Sequence, residues 1–257
     1  MSTERRYAII TPYYKEERRL LERCIGSVKR QTVKTDHFMI ADGHPQEWID
    51  GEKNVRHVRL DRSHDDYGNT ARGVGALLAA AERYDSIGTL DADNWLEPGH
   101  VELCLSAARA MPRGICDYVI ARRNFVRADE TIINVADEPV ESHVDTSCFF
   151  FLRGSFHLLP IWALMPPVAG AIGDRVFYAA IKSHPLVLAV TSRPTVNFHC
   201  TYAAIYRAAG EEPPPDAKPN ADPHKLGRWL STLSDREIEV AGRLAGVRFF
   251  RGPGLGA

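Results

Sequence analysis

Through the first half of the chain, short β-favouring runs alternate with helix-period runs, and this alternation restricts the fold more than any other feature. Residues 7–11 form a β-favouring run closed by Pro12. Residues 18–31 carry Leu20, Leu21, Cys24, Ile25 and Val28 at helical spacing. Residues 37–41 and 55–60 read as second and third strands, the former stopped by Asp42-Gly43. An Ala- and Leu-rich helix is predicted over 69–83. A fourth strand over 86–90 ends directly on Asp91-Ala92-Asp93, and Pro98-Gly99 opens a further helix through Ala110. Such alternation predicts an α/β fold with a mostly parallel central sheet and helices on both faces. Ligands of such sheets bind beyond the carboxyl ends of the strands. Residues 11–13, Asp42 and residues 91–93 all fall at those ends, so three strands deliver polar or aromatic groups to one crevice.

The second half is less regular. Residues 145–153 contain Cys148-Phe-Phe-Phe-Leu152, a continuous apolar run suited to a buried strand. A helix is predicted over 174–182, strands over 186–191 and 195–199, and a short helix over 202–209. Residues 211–223 are rich in Pro, Asp and Asn and read as a linker. The tail over 224–250 predicts one or two amphipathic helices with Leu226, Trp229, Leu230 and Leu233 on one face. That face fits core cover, with a homodimer contact or a membrane-surface helix as the other readings.

Composition removes several function classes. A formal net charge of -1 gives no global pull toward nucleic acid. The five cysteines are scattered, odd in number and without a C-x-x-C pair, so neither a disulfide framework nor a zinc site is expected. Reduced thiols point to a cytoplasmic protein. The most membrane-like stretch, 158–172, is interrupted by Pro160, Pro166 and Pro167 and falls short of the roughly 20 apolar residues of a membrane-spanning helix. No apolar signal segment precedes Tyr7. Peripheral attachment at the inner face of a membrane stays compatible with all of this.

Asp91-x-Asp93 at the end of an apolar strand is the sharpest chemical feature. A turning strand end can aim both carboxylates at one site, where hard oxygen ligands suit Mg²⁺ or Mn²⁺ bound together with phosphates. A diphosphate leaving group needs that neutralisation. Taken alone, an Asp-x-Asp is more often a solvated turn that caps the next helix.

The surrounding segments change that balance. Gly88-Thr-Leu-Asp-Ala-Asp-Asn-Trp-Leu-Glu-Pro98 resembles the Asp-x-Asp segment of glycosyltransferase family 2, which has the A-type fold. Ile9-Ile-Thr-Pro-Tyr-Tyr14 looks like that family's first strand and nucleotide loop, and Arg23-Cys-Ile-Gly-Ser-Val-Lys-Arg-Gln-Thr32 is similar to its first helix. Gly68-Asn-Thr-Ala-Arg-Gly-Val-Gly75 corresponds to the segment that brings an Arg toward the donor. The resemblance implies that Thr11, Pro12 and Tyr13 line the base pocket, that Asp42 accepts from a base N–H, and that Arg72 approaches the base or diphosphate. It implies that Asp91 contacts the ribose or the metal shell and that Asp93 binds a divalent metal, Mn²⁺ or Mg²⁺. The implied donor is a nucleotide-sugar, UDP by default, and the acceptor (glycan, lipid, protein or small molecule) is left open. Residues 1–123 would then form the nucleotide-sugar half, 124–210 the acceptor-side half, and 211–257 the linker and tail.

Two later positions extend the resemblance. Gly173-Asp174-Arg175 is similar to the family's Glu-Asp motif, whose Asp acts as general base in inverting enzymes; a helix N-cap is the ordinary alternative. His199 looks like the late His that many A-type enzymes bring to the metal or diphosphate, and Tyr202 is a candidate to face the acceptor or the diphosphate, with ordinary packing as the alternative. The chain departs from the family where Ala41-Asp42-Gly43 replaces Asp-Asp-Gly, and where no Glu precedes Asp174. An aspartate-nucleophile hydrolase would carry its Asp-x-Asp after the first strand, and a dinucleotide-binding fold would need a third Gly after Gly73-x-Gly75. A sugar-phosphate nucleotidyltransferase would need a Gly-rich, Arg-containing loop where Tyr13-Tyr-Lys-Glu-Glu stands. A nucleotide-sugar-binding module without turnover is the non-enzymatic alternative.

Overall fold

The computed structural model describes residues 5–219, 222 and 224–250, and the backbone of 255–256. Strands β1 (Tyr7–Tyr13), β2 (Asp36–Ala41), β3 (Val55–Arg59) and β4 (Ser86–Thr89) lie parallel in the order β3-β2-β1-β4. They are joined by helices α1 (Arg18–Lys29) and α2 (Asn69–Ala81) and by a 3-10 turn over Glu47–Gly51. After the short β5 (Trp95–Leu96) and α3 (His100–Arg109), the chain returns to the sheet as β6 (Tyr118–Val126), β7 (Ile132–Ile133), β8 (Phe149–Leu152) and β9 (Leu188–His199). Strand β8 enters antiparallel beside β4, β6 follows antiparallel to β8, β9 runs parallel to β6, and β5 closes the edge antiparallel to β9. One sheet therefore runs through both halves of the chain, and β6 itself crosses residues 123 and 124.

Side-chain alternation along the strands puts helices on both faces. Ile10 and Ile40 face α2, which can approach because residue 75 is glycine: a Cβ there would lie 2.6 Å from Ile10 Cγ2 and 2.8 Å from Ile40 Cγ1. Thr11 points the other way, with its Oγ1 3.7 Å from Cys24 Sγ of α1. The aromatic run of β8 divides in the same manner. Phe150 lies against His100 of α3, with ring centroids 6.4 Å apart. Phe149 and Phe151 pack on the opposite face against Phe177 of α5 (Gly173–Lys182), which stacks at 4.1 Å on Trp162 of α4 (Pro160–Leu164).

One strand escapes the sequence reading, and one expectation changes shape. Strand β6 is not evident from its residues, because Arg122, Arg123 and Asn124 interrupt its apolar pattern, yet Arg123 is buried through ion pairs with three carboxylates. The two strands expected over 186–191 and 195–199 are one strand, β9. The β6–β9 register slips around Arg122, which stands opposite Pro194, and a proline is tolerated within a strand at such a slip. After α6 (Ala203–Ala208), the tail forms α7 (Lys225–Leu230) and α8 (Asp235–Ala245), whose Leu226, Leu230, Ile238, Ala241 and Ala245 join the main core. A Ser234–Glu237 capping box starts α8, and Gly246, at φ 68°, ends it before β10 (Arg248–Phe249), which pairs with β11 (Leu255–Gly256). Among the described residues no helix is long and apolar enough to cross a membrane.

Two histidines in this scaffold are fully enclosed. His37 of β2 bonds Thr11 Oγ1 through Nε2 at 2.8 Å, and His100 of α3 bonds Thr195 Oγ1 through Nδ1 at 2.9 Å. Burial pushes their pKa values down from 6.5 to about 3 and about 4. Both stay neutral in the native state while the unfolded chain takes up protons below its ordinary value. Their contribution is therefore complete above pH 6.5 and is lost as pH falls from there toward 4, at up to about 1.4 kcal/mol per pH unit for each histidine. Urea-unfolding free energies measured from pH 7.5 to 4.5 should fall more steeply for the native protein than for the His37→Gln/His100→Gln double variant. Equal slopes would remove this assignment.

Candidate active site

A cavity of about 350 Å³ opens beyond the carboxyl ends of β1, β2 and β4, lined among others by Pro12, Tyr13, Tyr14, Asp42, Tyr67, Arg72, Asp91 and Asp93. A larger cavity of about 730 Å³ lies between α5 and α8 and contains none of the residues singled out in the sequence. The smaller one gathers side chains from three strand ends and α2, as expected for an open α/β sheet. Thr11 does not line it: the residue is fully buried and its hydroxyl is bonded to His37 beneath α1.

At one end of the cavity, Tyr13 forms wall rather than platform. It is 2% exposed, its hydroxyl is 2.6 Å from His57 Nε2, and it accepts the Gln46 N–H at 2.9 Å. Burial pushes its phenol up to about 12. Asp42 is buried and accepts from His64 through Nδ1 at 2.6 Å and through the backbone N–H at 3.1 Å. The open aromatic face belongs to Tyr67, which is 66% exposed and sits at φ 59°, a left-handed conformation that is uncommon for a bulky residue. Asp66 before it is buried and caps α2 by accepting from Thr70 N at 2.8 Å. Nothing in the local sequence distinguishes Tyr67 from a surface tyrosine; the turn geometry alone turns it to the cavity mouth.

At the other end, Arg72 of α2 is buried and reaches down to the β4 end. Its Nη2 donates to Asp91 Oδ1 at 2.7 Å and its Nη1 to Asn69 Oδ1 at 2.7 Å, with the guanidinium 4.9 Å from the Trp162 ring centre. Asp93 stands two residues on, and its carboxyl is pushed up to about 7, first by burial and then by Asp91. Arg23 of α1 donates to the Asp93 carbonyl at 2.8 Å while stacking 3.8 Å over Trp95.

This acidic turn is pinned from below by two residues the sequence did not mark. Ser147 Oγ accepts from Asp91 N at 3.1 Å and from Asn94 Nδ2 at 2.8 Å, and Asn94 Oδ1 accepts the His199 N–H at 2.8 Å. The end of β9 is thereby tied to the acidic turn. His199 Nδ1 is buried without a hydrogen-bond partner among the described residues. Burial, followed by Arg23, Arg19 and Lys218, lowers the pKa of this imidazole and keeps it neutral. Among the described residues no three Asp, Glu, His or Cys side chains already form a metal-holding group.

A third set of side chains comes from the second half of the chain. Asp174 sits in the first turn of α5 and is not the N-cap, a position held by Ile172. Its Oδ1 accepts from Arg175 N at 2.7 Å, and its Oδ2 lies 2.7 Å from His143 Nε2. Asp145 caps the 3-10 turn over Thr146–Cys148 and pairs with Arg123 at 3.2 Å. Burial pushes its carboxyl up to about 6 despite that arginine. Tyr202 joins these groups: burial first, then the charges of Asp145, Asp93, Asp174 and Asp91, raise its phenol. Four carboxylates from three segments therefore act on one hydroxyl. The sequence marked three of them; Asp145 could have been found from Asp145-x-Ser147, a short capping pattern just ahead of the β8 strand.

Comparison with known proteins agrees with this geometry. The model of glycosyl transferase family 2 matches residues 8–157. Among solved structures, S. aureus TarS 1-349 in complex with UDP superimposes with a TM-score of 0.58 at 10% identity, over 93% of this chain and 70% of that one. The same fragment in complex with UDP-GlcNAc gives 0.57 at 12% identity, over 93% and 71%. S. aureus TarS gives 0.56 at 10% identity, over 93% of this chain and 42% of that one. At these identities the likeness is one of fold. Comparison with curated proteins gives no match.

Asn94 holds the acidic turn to both Ser147 and His199, so Asn94→Ala leaves two buried polar groups short of a partner. The variant should lose about 1–3 kcal/mol of stability, read as a lowered urea midpoint with an unchanged m-value. A midpoint equal to that of the native protein would show that the turn is held elsewhere.

Proposed function

Because this chain belongs to glycosyl transferase family 2 and is a glycosyltransferase of the A-type fold, we propose that it transfers a sugar from a UDP-sugar to an acceptor hydroxyl by inversion. The observation that carries this reading is a cavity beyond the strand ends that gathers Asp42, Tyr67, Arg72, Asp91 and Asp93. Solved TarS complexes with UDP and UDP-GlcNAc support the choice of donor.

In this reading the uracil lies between Tyr67 and the Pro12–Tyr13 wall, with Asp42 accepting from the base N–H while His64 fixes its carboxylate. Arg72 shares its guanidinium between Asp91 and the diphosphate; a planar fork suits both. The residues present fit a divalent cation. Asp93 is a half-buried carboxylate beside another acid, and His199 offers a neutral, unpartnered nitrogen. Mn²⁺ or Mg²⁺ would be held by Asp93, with Asp91 and His199 as further ligands, the remaining positions falling to water and phosphate oxygens. When bound, the ion supplies neutralising charge for the departing diphosphate.

The chain's own groups do the rest. The acceptor oxygen bonds to the anomeric carbon as the bond from that carbon to the diphosphate breaks, and its electron pair leaves with UDP. Asp174 takes the acceptor proton, which requires only a free carboxylate lone pair within reach. Positioning and charge stabilisation lower the barrier without a covalent intermediate. The acceptor class stays open among glycan, lipid, protein and small molecule. A cytoplasmic location, with or without peripheral membrane attachment, fits the five free cysteines.

Release of UDP from UDP-GlcNAc in the presence of Mn²⁺, with water or a candidate acceptor, tests the reading. Asp93→Ala should lose metal-dependent release while keeping the melting temperature of the native protein; near-normal release would remove the metal assignment. Asp174→Asn should lower release by at least about 10²-fold with UDP binding intact, and an active variant would remove Asp174 as base. Tyr67→Ala should weaken UDP binding by about 1–3 kcal/mol, the scale of an aromatic–base stack; calorimetric titration showing native affinity would return that role to Tyr13.

A further inference from the structure

Between Asp174 and the core runs a line of charged groups that the transfer chemistry above does not use. His143, in the loop after β7, is mostly buried and hydrogen-bonds through both ring nitrogens. Its Nε2 lies 2.7 Å from Asp174 Oδ2, and its Nδ1 bonds Glu138. Glu138 is in turn 3.5 Å from Arg123 Nη2 on β6, whose other donors reach Asp137 Oδ1 at 2.9 Å and Asp145 Oδ2 at 3.2 Å. The line therefore runs from a buried arginine in the central sheet, through a carboxylate and an imidazole, to the carboxylate in the first turn of α5.

An imidazole that meets a carboxylate at each nitrogen needs a proton on both, because a neutral ring can donate from only one. Glu138 and Asp174 favour that charged form and Arg123 opposes it, as does burial. The balance is a raised pKa, so His143 keeps its charge above its ordinary range and loses it only as pH rises through the higher value. Lys182, on the same helix as Asp174, is directed to the Glu141 carbonyl at 3.3 Å. Asp145 stands two residues beyond His143 with its own pair to Arg123.

We propose that His143 is a positioning residue for the transfer reaction: clamped by Glu138, it holds the Asp174 carboxylate in one orientation, leaving lone pairs on that carboxylate for the acceptor hydroxyl. The inference rests on Asp174 as base. A carboxylate at the start of a helix can otherwise swing among staggered rotamers, and a displacement of about 1 Å at a reacting group costs on the order of 10²-fold in rate. Glu138 and Arg123 prevent that swing by fixing the far side of the ring, in the way that a third group orients the base of a catalytic triad.

Two variants separate positioning from simple loop anchoring. His143→Gln places an amide donor close to the Nε2 position without charge, whereas His143→Leu removes both bonds. His143→Leu should lower UDP release from UDP-GlcNAc by on the order of 10²-fold with unchanged UDP affinity, and His143→Gln should recover most of that loss. The native enzyme should lose activity on the alkaline side as His143 gives up its proton, and His143→Gln should lack that limb. Independently of turnover, ¹⁵N spectra of the native protein should show the His143 ring titrating at higher pH than a free imidazole, and its titration should move to lower pH in Asp174→Asn.

A His143 that titrates at or below the ordinary imidazole value, or a titration unaffected by Asp174→Asn, would overturn the proposal, as would His143→Leu turning over at the native rate. Loss of UDP affinity in parallel with rate would reduce His143 to a loop anchor and also overturn it. If Asp174→Asn itself stays active, the base assignment fails and the clamp falls with it. An inactive Asp174→Asn beside native-like His143 variants would sink the clamp alone.

Discussion

Like charges gathered at one sheet edge are the constraint around which this molecule is arranged. Asp91, Asp93, Asp145 and Asp174 all act on Tyr202, and two of them, Asp93 and Asp145, have their pKa values raised to about 7 and about 6. Repulsion and burial would scatter or neutralise such a group unless the scaffold held it by force. The holding is done by elements far apart in sequence. Arg72 comes down from α2 onto Asp91, Arg123 rises from β6 onto Asp145, and Ser147 with Asn94 fixes the backbone of the acidic turn. The parallel strands β1, β2 and β4 set the stage: their ladder fixes where residue 90 ends, and the carboxylates beyond that point are held by ion pairs and hydrogen bonds.

The mixed half of the sheet follows from the same need. Strand β8 pairs antiparallel with β4, which places Ser147 and Asp145 directly beneath the acidic turn as the chain enters that strand. Strand β6 then runs beside β8 and carries Arg123 to the same edge, and β9 runs beside β6 to end on His199, whose N–H is taken by Asn94. Strands β8, β6 and β9 thereby bring polar side chains to the site, while the aromatic run of β8 is buried behind it. The packing of Phe149, Phe151, Trp162 and Phe177 then supplies apolar support for α5, the helix that carries Asp174. Core and site are therefore one construction, with hydrophobic burial fixing the helix and ion pairs fixing the carboxylates.

Much of this was legible in the residues themselves. Four parallel strands, their helices and the cavity-lining Pro12, Tyr13, Asp42, Arg72, Asp91 and Asp93 followed from periodicity and family resemblance, because those elements are local and three of the strands end beside cavity-lining residues. Strand β6 stayed hidden, since an arginine inside a strand looks like a surface residue until its three carboxylate partners are known. The break expected at Pro194 was absorbed by a register slip against Arg122. Thr11 looked like a pocket residue by position, yet the strand's alternation turns it to the other face, against His37 and Cys24. Tyr67, His64 and His143 carried no sequence signal at all, for their roles depend on loops folding back over residues more than 20 positions away.

The charge arrangement also says where the positive charge for a diphosphate can come from. Arg123 already answers to three carboxylates, and Arg72 is bonded to Asp91 and Asn69, so neither is a free cation in the ligand-free site. A diphosphate entering beside Asp91 and Asp93 would add negative charge to a place where Asp93 already resists ionisation. At an effective dielectric of about 20, two unit charges 4 Å apart interact by about 4 kcal/mol, more than Arg72 can offset while it also serves Asp91. In the proposed reading the remainder falls to Arg23 and Lys218, whose charges reach this turn, and to a cation that arrives with the donor. In that reading a divalent ion riding on the phosphates would convert Asp91 and Asp93 from opponents of the ligand into its anchors.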